Sequence, residues 1–417
     1  MAHPAAGFSE QNRKQNVAEG KPSLDWLIHP TSKKTFFEEY FEKQTLVVKR
    51  GQADYFEELL SLDEIDRVIT TLDRSTDEII LKNASREVSE ADYTVDGIID
   101  VAKLYQLFGE GSTITLAFLD TVLPQLARFC RSLEGEFTCP FQANIYLTPP
   151  GAQGARVHYD THDVFVLQVA GSKKWTIYGT PVELPLAGQD FDAKIHDVGK
   201  PTFEFELEAG DVAYIPRGVG HDARSTDTVS LHITAGILRF TWTDLLLEFV
   251  ASASLRDAAF RKSLPPGFAR TGFDRAQARE TVRELLRRVA ASGDFDAALD
   301  HFTGEFFSRC RPLLRGQMAQ MAALGRLTTE SVAGVRDGTI FRIESAGNGD
   351  SMTVESYGRR ITFPEAAREA VEFALTNSRF AIRELPGDLD DAGKLVIVKR
   401  LIQEGLVEAA LGEGSSC

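Results

Sequence analysis

Two histidines and one aspartate are where this sequence can do chemistry. His158-Tyr159-Asp160 stands in the alternating run VHYDTHDVFVLQVAG, and His221 follows the turn Pro216-Arg217-Gly218-Val219-Gly220, 63 residues further on. In a strand, residues i and i+2 share a face, so His158 and Asp160 are expected to project together. Two neutral imidazoles and a carboxylate make the facial triad of non-haem Fe(II) oxygenases, which leaves positions open for a chelating co-substrate and O2. An H-x-D pair alone is weak evidence, because a buried histidine beside an aspartate also serves as a hydrogen-bonded core pair. The β-rich setting favours the metal, as does the strand–turn–strand approach EAGDVAYIPRGVGH, which presents a side chain at a barrel mouth.

An α-keto acid co-substrate needs a cation for its distal carboxylate. Lys173, just past Gly171, is the candidate, although Lys173 and Lys174 also read as a solvated turn. Asn144 and Tyr146 share one face of the run before Pro149, so both can look into one cavity or simply fill a barrel. His162 and Asp163 lie close to the triad in sequence and are candidates for substrate-facing or supporting groups.

The elements that must position these residues change character along the chain. Residues 1–22 read as a loose polar arm, and order is expected from Ser23. Thr35–Lys43, Ser61–Leu72, Val101–Phe108 and Phe118–Leu133 read as helices, with Ser61 and Glu64 matching a capping box. From Phe141 to about Leu238 the period shifts towards 2, in short runs separated by Gly, Pro and Asp turns, which predicts an antiparallel sandwich or barrel. A helical region is expected over 241–332, starting at Thr243–Ser254 with Thr243 or Asp244 as cap and continuing through Arg275–Ala291 and Phe295–Leu324. A last region, 333–417, shows two β-like runs, Thr339–Ser345 and Met352–Ser356, around Gly347-Asn348-Gly349. It continues with helices at Pro364–Leu375 and Lys394–Glu404 and the strand-like LVEAAL, a winged-helix-like order. Pro364 to Cys417 holds six basic and ten acidic residues, so docking or structure is a better reading than DNA binding.

The motifs together resemble a known family. NIYLTPP at 144–150, then His158-Tyr159-Asp160, FVLQVxGxKxW at 165–175, Gly210-Asp211, Tyr214-Ile215-Pro216-Arg217-Gly218, His221, Ser230-Leu231-His232 and Thr241-Trp242 are similar to the ribosomal oxygenases. These are JmjC-type, cupin-4-like protein hydroxylases that use Fe(II) and 2-oxoglutarate. The likeness is strong from about Phe141 to Phe249 and collinear elsewhere. It implies a mainly β core with helices, a double-stranded β-helix (jelly roll) spanning 23–240 with its N-terminal extension, a helical dimerisation region and a winged-helix-like C-terminal domain. It also implies Fe(II) held by His158, Asp160 and His221, with 2-oxoglutarate and O2 as co-substrates. Lys173 matches the basic residue that pairs with the distal carboxylate, and Asn144 and Tyr146 match residues lining that pocket. Where some members carry a hydroxyl group one or two positions past the Thr234 region, this chain has Ala235 and Gly236, so Thr234 itself is expected to substitute. The implied reaction is hydroxylation of a protein side chain, a histidine or arginine of a ribosomal protein. Alternatives are the same chemistry on a peptide natural product, a small metabolite or a methyl-lysine, or a non-catalytic metal-binding cupin or regulator.

Composition bounds the partners. The chain has 417 residues, 43% hydrophobic and 26% charged, which is a globular composition and excludes a disordered or collagen-like chain. The net charge of −15 argues against sequence-blind nucleic-acid binding and suits a basic protein substrate. Cys130, Cys139, Cys310 and Cys417 form no C-x-x-C pair, and neither a signal peptide nor a membrane span is evident, so a cytoplasmic protein is expected. The amphipathic helices after Trp242 predict a homodimer.

Overall fold

The computed structural model describes residues 22–72, 74–292, 295–345 and 349–411. The amino-terminal arm up to residue 21, the Gly347-Asn348 part of the expected turn, and Cys417 lie outside these residues. Ten strands frame the centre: β1 (Leu46–Val48), β2 (Ile79–Lys82), β3 (Thr113–Leu116), β4 (Phe141–Thr148), β5 (Asp163–Ala170), β6 (Ser172–Ile177), β7 (Phe203–Glu208), β8 (Val212–Ile215), β9 (His221–Ser225) and β10 (Ser230–Ile237). They form a seven-stranded antiparallel sheet in the order β1-β8-β5-β10-β4-β3-β2 and a facing three-stranded sheet in the order β9-β6-β7. The non-consecutive pairings β1-β8, β8-β5, β5-β10, β10-β4 and β9-β6 mark the jelly-roll winding of a cupin.

Alternation along the strands divides the molecule into two packed layers. On β4, Phe141, Ala143, Ile145 and Leu147 are buried in the larger core, while Tyr146 lines the space between the sheets. That larger core includes Phe36, Phe56, Phe129, Phe165 and Tyr214 on the outer side of the large sheet, where the amino-terminal helices cover it. A smaller core of Val164, Val166, Trp175, Ile177, Leu207, Ala213 and Ile215 joins the two sheets. Truncating a fully buried aromatic such as Phe165 to alanine typically costs about 3–5 kcal/mol.

The covering helices are α1 (Leu62–Thr71), α2 (Val101–Gly109) and α3 (Pro124–Phe137). The expected helix from Phe118 begins only at Pro124, after a short turn at Leu119–Thr121, because proline fits the first helical turn but not an interior. Thr35–Lys43 contributes a single wide turn, Phe36–Tyr40, in which Phe36 is buried against Phe165 and Tyr214. Ser61 caps α1 by accepting from the Glu64 backbone N–H, but the Glu64 side chain turns away to Gln125 instead of closing the box.

Beyond β10 come α4 (Trp242–Arg256), α5 (Ala276–Ser292), α6 (Phe295–Arg309) and α7 (Gln317–Ala323). Neither Thr243 nor Asp244 is the cap of α4. Thr241 fills that place, its hydroxyl accepting from the Asp244 N–H at 3.2 Å while the Asp244 carboxylate accepts from the Thr241 N–H at 2.8 Å. Trp242, Leu246, Leu247 and Leu255 are all exposed on α4.

The last region has its own core around Met352, Val354, Val371, Phe380, Val398 and Ile402. It contains α8 (Arg368–Thr376), α9 (Asp391–Gln403) and two three-stranded sheets. Three strands there, Val332–Val335, Arg359–Pro364 and Phe380–Ala381, are absent from the sequence reading; in the second, the pattern RRITFP puts charge and proline on an edge, which weakens the β signal.

Candidate active site

The three candidate ligands meet at the mouth of the space between the sheets, though not by the route their parity suggested. β5 begins at Asp163, so His158 and Asp160 sit on the irregular approach to it, not inside the strand. What aligns them is a single antiparallel bridge between His158 and His221. The His158 N–H donates to the His221 carbonyl at 3.1 Å and the His221 N–H donates back at 2.7 Å.

His158 Nε2 lies 3.8 Å from one Asp160 oxygen and His221 Nε2 lies 3.7 Å from the other, and the two rings are 4.7 Å apart. All three donor atoms fall within 4.8 Å of one another. The far side of each ring is engaged: His158 Nδ1 with the Arg156 carbonyl at 2.9 Å, His221 Nδ1 with the Val219 carbonyl at 3.0 Å. A carbonyl accepts only from an N–H, so both Nδ1 atoms carry the proton and both Nε2 lone pairs are free for a metal. Burial, helped by the neighbouring His158, holds the His221 pKa below its ordinary value and keeps it neutral. Burial works to raise the Asp160 carboxyl, but the positive charge that His221 and His158 carry when protonated outweighs it and holds it below the usual carboxylate range. Two neutral imidazoles and an ionised carboxylate are the donor set that suits a divalent transition metal such as Fe(II).

From this mouth a cavity of about 170 Å³ runs inward between the sheets. Val164, Val166 and Trp175 line its wall, and Thr113, Thr115, Tyr146, Lys173, His232 and Thr234 also face it. Lys173 is 4% exposed, whereas its neighbour Lys174 points to solvent on the other face of β6. The Lys173 ammonium donates to the Thr148 hydroxyl at 3.1 Å, and Thr148 in turn pairs with Thr113 at 3.0 Å. Burial lowers the Lys173 pKa to about 7. His232 is buried and stacks flat on Tyr146, with ring centres 4.8 Å apart. Burial first, and the nearby Lys173 second, push its pKa far down, so it stays neutral. A hydroxyl-bearing pocket that holds the buried Lys173, with Lys82 also in its lining, is built for an anion of modest size.

The structure therefore brings together His158, Asp160, His221, Lys173, Tyr146 and Thr234 around one cavity. Asn144 is opposite Thr234 in register, but its side-chain oxygen accepts from the Phe118 N–H and the Gln142 amide, and it does not line the cavity. His162 lies over Gly236, 3.5 Å from where a Cβ would stand. Asp163 is fully buried, accepting from the Tyr214 hydroxyl at 2.8 Å and from Arg217 at 2.9 Å. Thr148 and His232 went unassigned in the sequence, although the same-face parity with Tyr146 and Thr234 marks them. Thr113 and Thr115 carry no local signal, since only strand pairing brings them to the cavity.

Residues 118–245 match the family model described as the JmjC domain. These residues form a JmjC domain. The chain is 32% identical over 320 residues to the bifunctional lysine-specific demethylase and histidyl-hydroxylase NO66 of Drosophila mojavensis, covering 72% of this chain and 36% of that protein. It is 31% identical over 322 residues to ribosomal oxygenase 1 of Danio rerio, covering 70% of this chain and 57% of that one. The JmjC chain thus spans roughly a third to three fifths of the length of these curated relatives. Its fold is also that of YcfD, a ribosomal oxygenase from Escherichia coli. The complex of YcfD with cobalt and succinic acid superposes with a TM-score of 0.56 at 19% identity over 92% of this chain and 99% of the other. The complex with cobalt and 2-oxoglutarate gives 0.54 at 18% identity over the same shares.

Proposed function

We propose that this JmjC protein is an Fe(II)- and 2-oxoglutarate-dependent oxygenase that hydroxylates a protein side chain, a histidine or arginine of a ribosomal protein. One observation carries the reading: three metal-type donors stand at the open end of a cavity that also holds a buried lysine. The relatives named histidyl-hydroxylase and ribosomal oxygenase, and the neighbour solved with cobalt and 2-oxoglutarate, support it.

His158, Asp160 and His221 would hold the iron, and bound iron would supply the activation of O2 that protein side chains cannot. The remaining work falls to the chain itself. Arg156 and Val219 carbonyls fix the imidazole tautomers, so the donor atoms need no rearrangement on loading. Lys173 and the Thr148 hydroxyl offer a charge-assisted pair of donors to the distal carboxylate of 2-oxoglutarate. Tyr146 and Thr234 shape the pocket around it, with Asn144 steadying β4 behind them. Val164, Val166 and Trp175 keep that wall dry, which strengthens each polar contact inside.

The partner surfaces follow from charge and exposure. The net charge of −15 draws a basic protein to the open mouth. The exposed apolar residues of α4 suit a second copy of the chain, making 241–332 a dimerisation region, and 333–417 a winged-helix-like docking domain without nucleic acid. Free, buried Cys130, Cys139 and Cys310 fit a cytoplasmic setting, and among the described residues no helix is long and apolar enough to cross a membrane.

The test is succinate formation from 2-oxoglutarate with Fe(II), comparing wild type with His158→Ala and Asp160→Ala, together with intact masses of ribosomal proteins from cells with and without the enzyme. A single added oxygen on one ribosomal protein is expected. Unchanged turnover in both variants would refute the triad.

A further inference from the structure

Arg239, between β10 and α4, is used by none of the chemistry above, yet it touches the site's backbone. Its side chain is 11% exposed. Nη2 donates to the Thr161 carbonyl at 3.0 Å and to the Pro185 carbonyl at 2.9 Å, and Nη1 lies 3.9 Å from the buried Asp163 carboxylate. Thr161 directly follows Asp160, while Pro185 belongs to the long connection from β6 to β7. One guanidinium thus joins the metal-bearing stretch to a loop that is distant in sequence.

That loop is pressed against the site from two further directions. A Cβ on Gly218 would stand 2.1 Å from the Val182 carbonyl, so the loop backbone packs directly on the turn that leads to His221. The Gly218 N–H itself donates to the Asp160 carbonyl at 3.0 Å. The Tyr159 hydroxyl, from between His158 and Asp160, donates to the Gln189 carbonyl at 2.8 Å. Within the loop Leu184 holds a left-handed backbone, φ 47°, which a branched side chain keeps only where its surroundings impose it. Arg239 meets the loop backbone at the next residue, through the Pro185 carbonyl. A planar guanidinium suits this task because it can serve two carbonyls and a carboxylate from one rigid fork.

We propose that Arg239 is a positioning residue that clamps the 182–186 segment to the backbone beside Asp160, and so fixes the opening through which the substrate reaches the metal. The clamp stands on geometry alone; its consequence for the substrate rests on the oxygenase reading.

Two reporters, one on each side of the clamp, test it on the full chain. A nitroxide is attached at Ala187→Cys in a Cys417→Ser background, since Ala187 is exposed and the three described cysteines are buried. Co(II) loaded at the triad reports the other side through its visible absorption bands. In Arg239→Met the fraction of mobile label is expected to rise about threefold or more, and the Co(II) bands to change in intensity in the same variant. Arg239→Lys should recover most of both signals. The clamp is overturned if a folded Arg239→Met keeps both reporters at their wild-type values, or frees the label while the Co(II) spectrum stays unchanged. If Arg239→Met does not fold, Arg239→Gln is judged by the same two criteria. A wild-type protein that binds no Co(II) sinks the metal reading, and the label then decides the clamp by itself.

Discussion

The two ends of the cavity are made on opposite terms. At the mouth, His158 and Asp160 are about one-third exposed. At the inner end, Lys173 and His232 are 4% and 2% exposed, the first bonded to the Thr148 hydroxyl and the second stacked on Tyr146. An exposed end can admit side chains presented on a large partner. A closed end with one cation selects a single small anion and holds it by charge-assisted hydrogen bonds. Under the proposed oxygenase reading, the difference separates the protein substrate from the co-substrate, and most of the substitutions below weigh on one end.

The largest effect is expected from Asp160→Ala at the mouth. Losing an outer partner of a metal ligand costs roughly 10–100-fold in affinity, and losing the ligand itself should exceed that, abolishing measurable Co(II) binding by titration. Next comes the scaffold beneath the mouth. Asp163→Ala strips the acceptor from the buried Tyr214 hydroxyl and one of two carboxylates from Arg217, which keeps only Glu42, so denaturant unfolding should show a loss of about 3–5 kcal/mol. At the closed end, Lys173→Met should weaken 2-oxoglutarate by about 2–4 kcal/mol in KM while leaving Co(II) affinity near wild type, the reverse of Asp160→Ala.

The closed end also has a pH signature. Lys173 titrates near pH 7 when folded but at its ordinary value of 10.5 when unfolded, so between these values the unfolded chain binds the extra proton. Stability therefore rises with pH across that window. Lys173→Met should be more stable than wild type at pH 7, with the gap closing as pH approaches 10 in paired denaturant melts. A gap independent of pH would show that Lys173 is charged in the folded protein. The smallest effect lies far from both ends: Trp242→Glu on the exposed face of α4 should shift light scattering from dimer towards monomer without altering Co(II) binding.

How far the sequence revealed these two ends depended on the range of the contacts. His158, Asp160 and His221 were legible from residue type, though the strand parity invoked for His158 and Asp160 was the wrong cause, since a bridge between His158 and His221 aligns the two imidazoles and the Gly218 N–H holds the Asp160 carbonyl. Tyr146 was legible from alternation along its strand and Thr234 only through the family resemblance, whereas Thr113 and Thr115 reach the cavity only through the pairing of β3 with β4. Lys173 could not be separated from a solvated turn by pattern alone; the burial of one lysine and the exposure of the next depend on which face of β6 meets the opposite sheet. Helix starts were misread where a side chain two residues earlier supplied the cap, as Thr241 does for α4.

The paired hydrogen bonds between His158 and His221 set terms for how this centre can vary. Both imidazoles spring from one rung of an antiparallel ladder, so their separation follows from backbone spacing and not from the loops that lead to them. Those connections can gain or lose residues over evolutionary time with little effect on the bite of the two nitrogens. A slip of the rung by a single residue, in contrast, would turn one ring to the opposite side of its chain and leave a pair of donors with nothing to share.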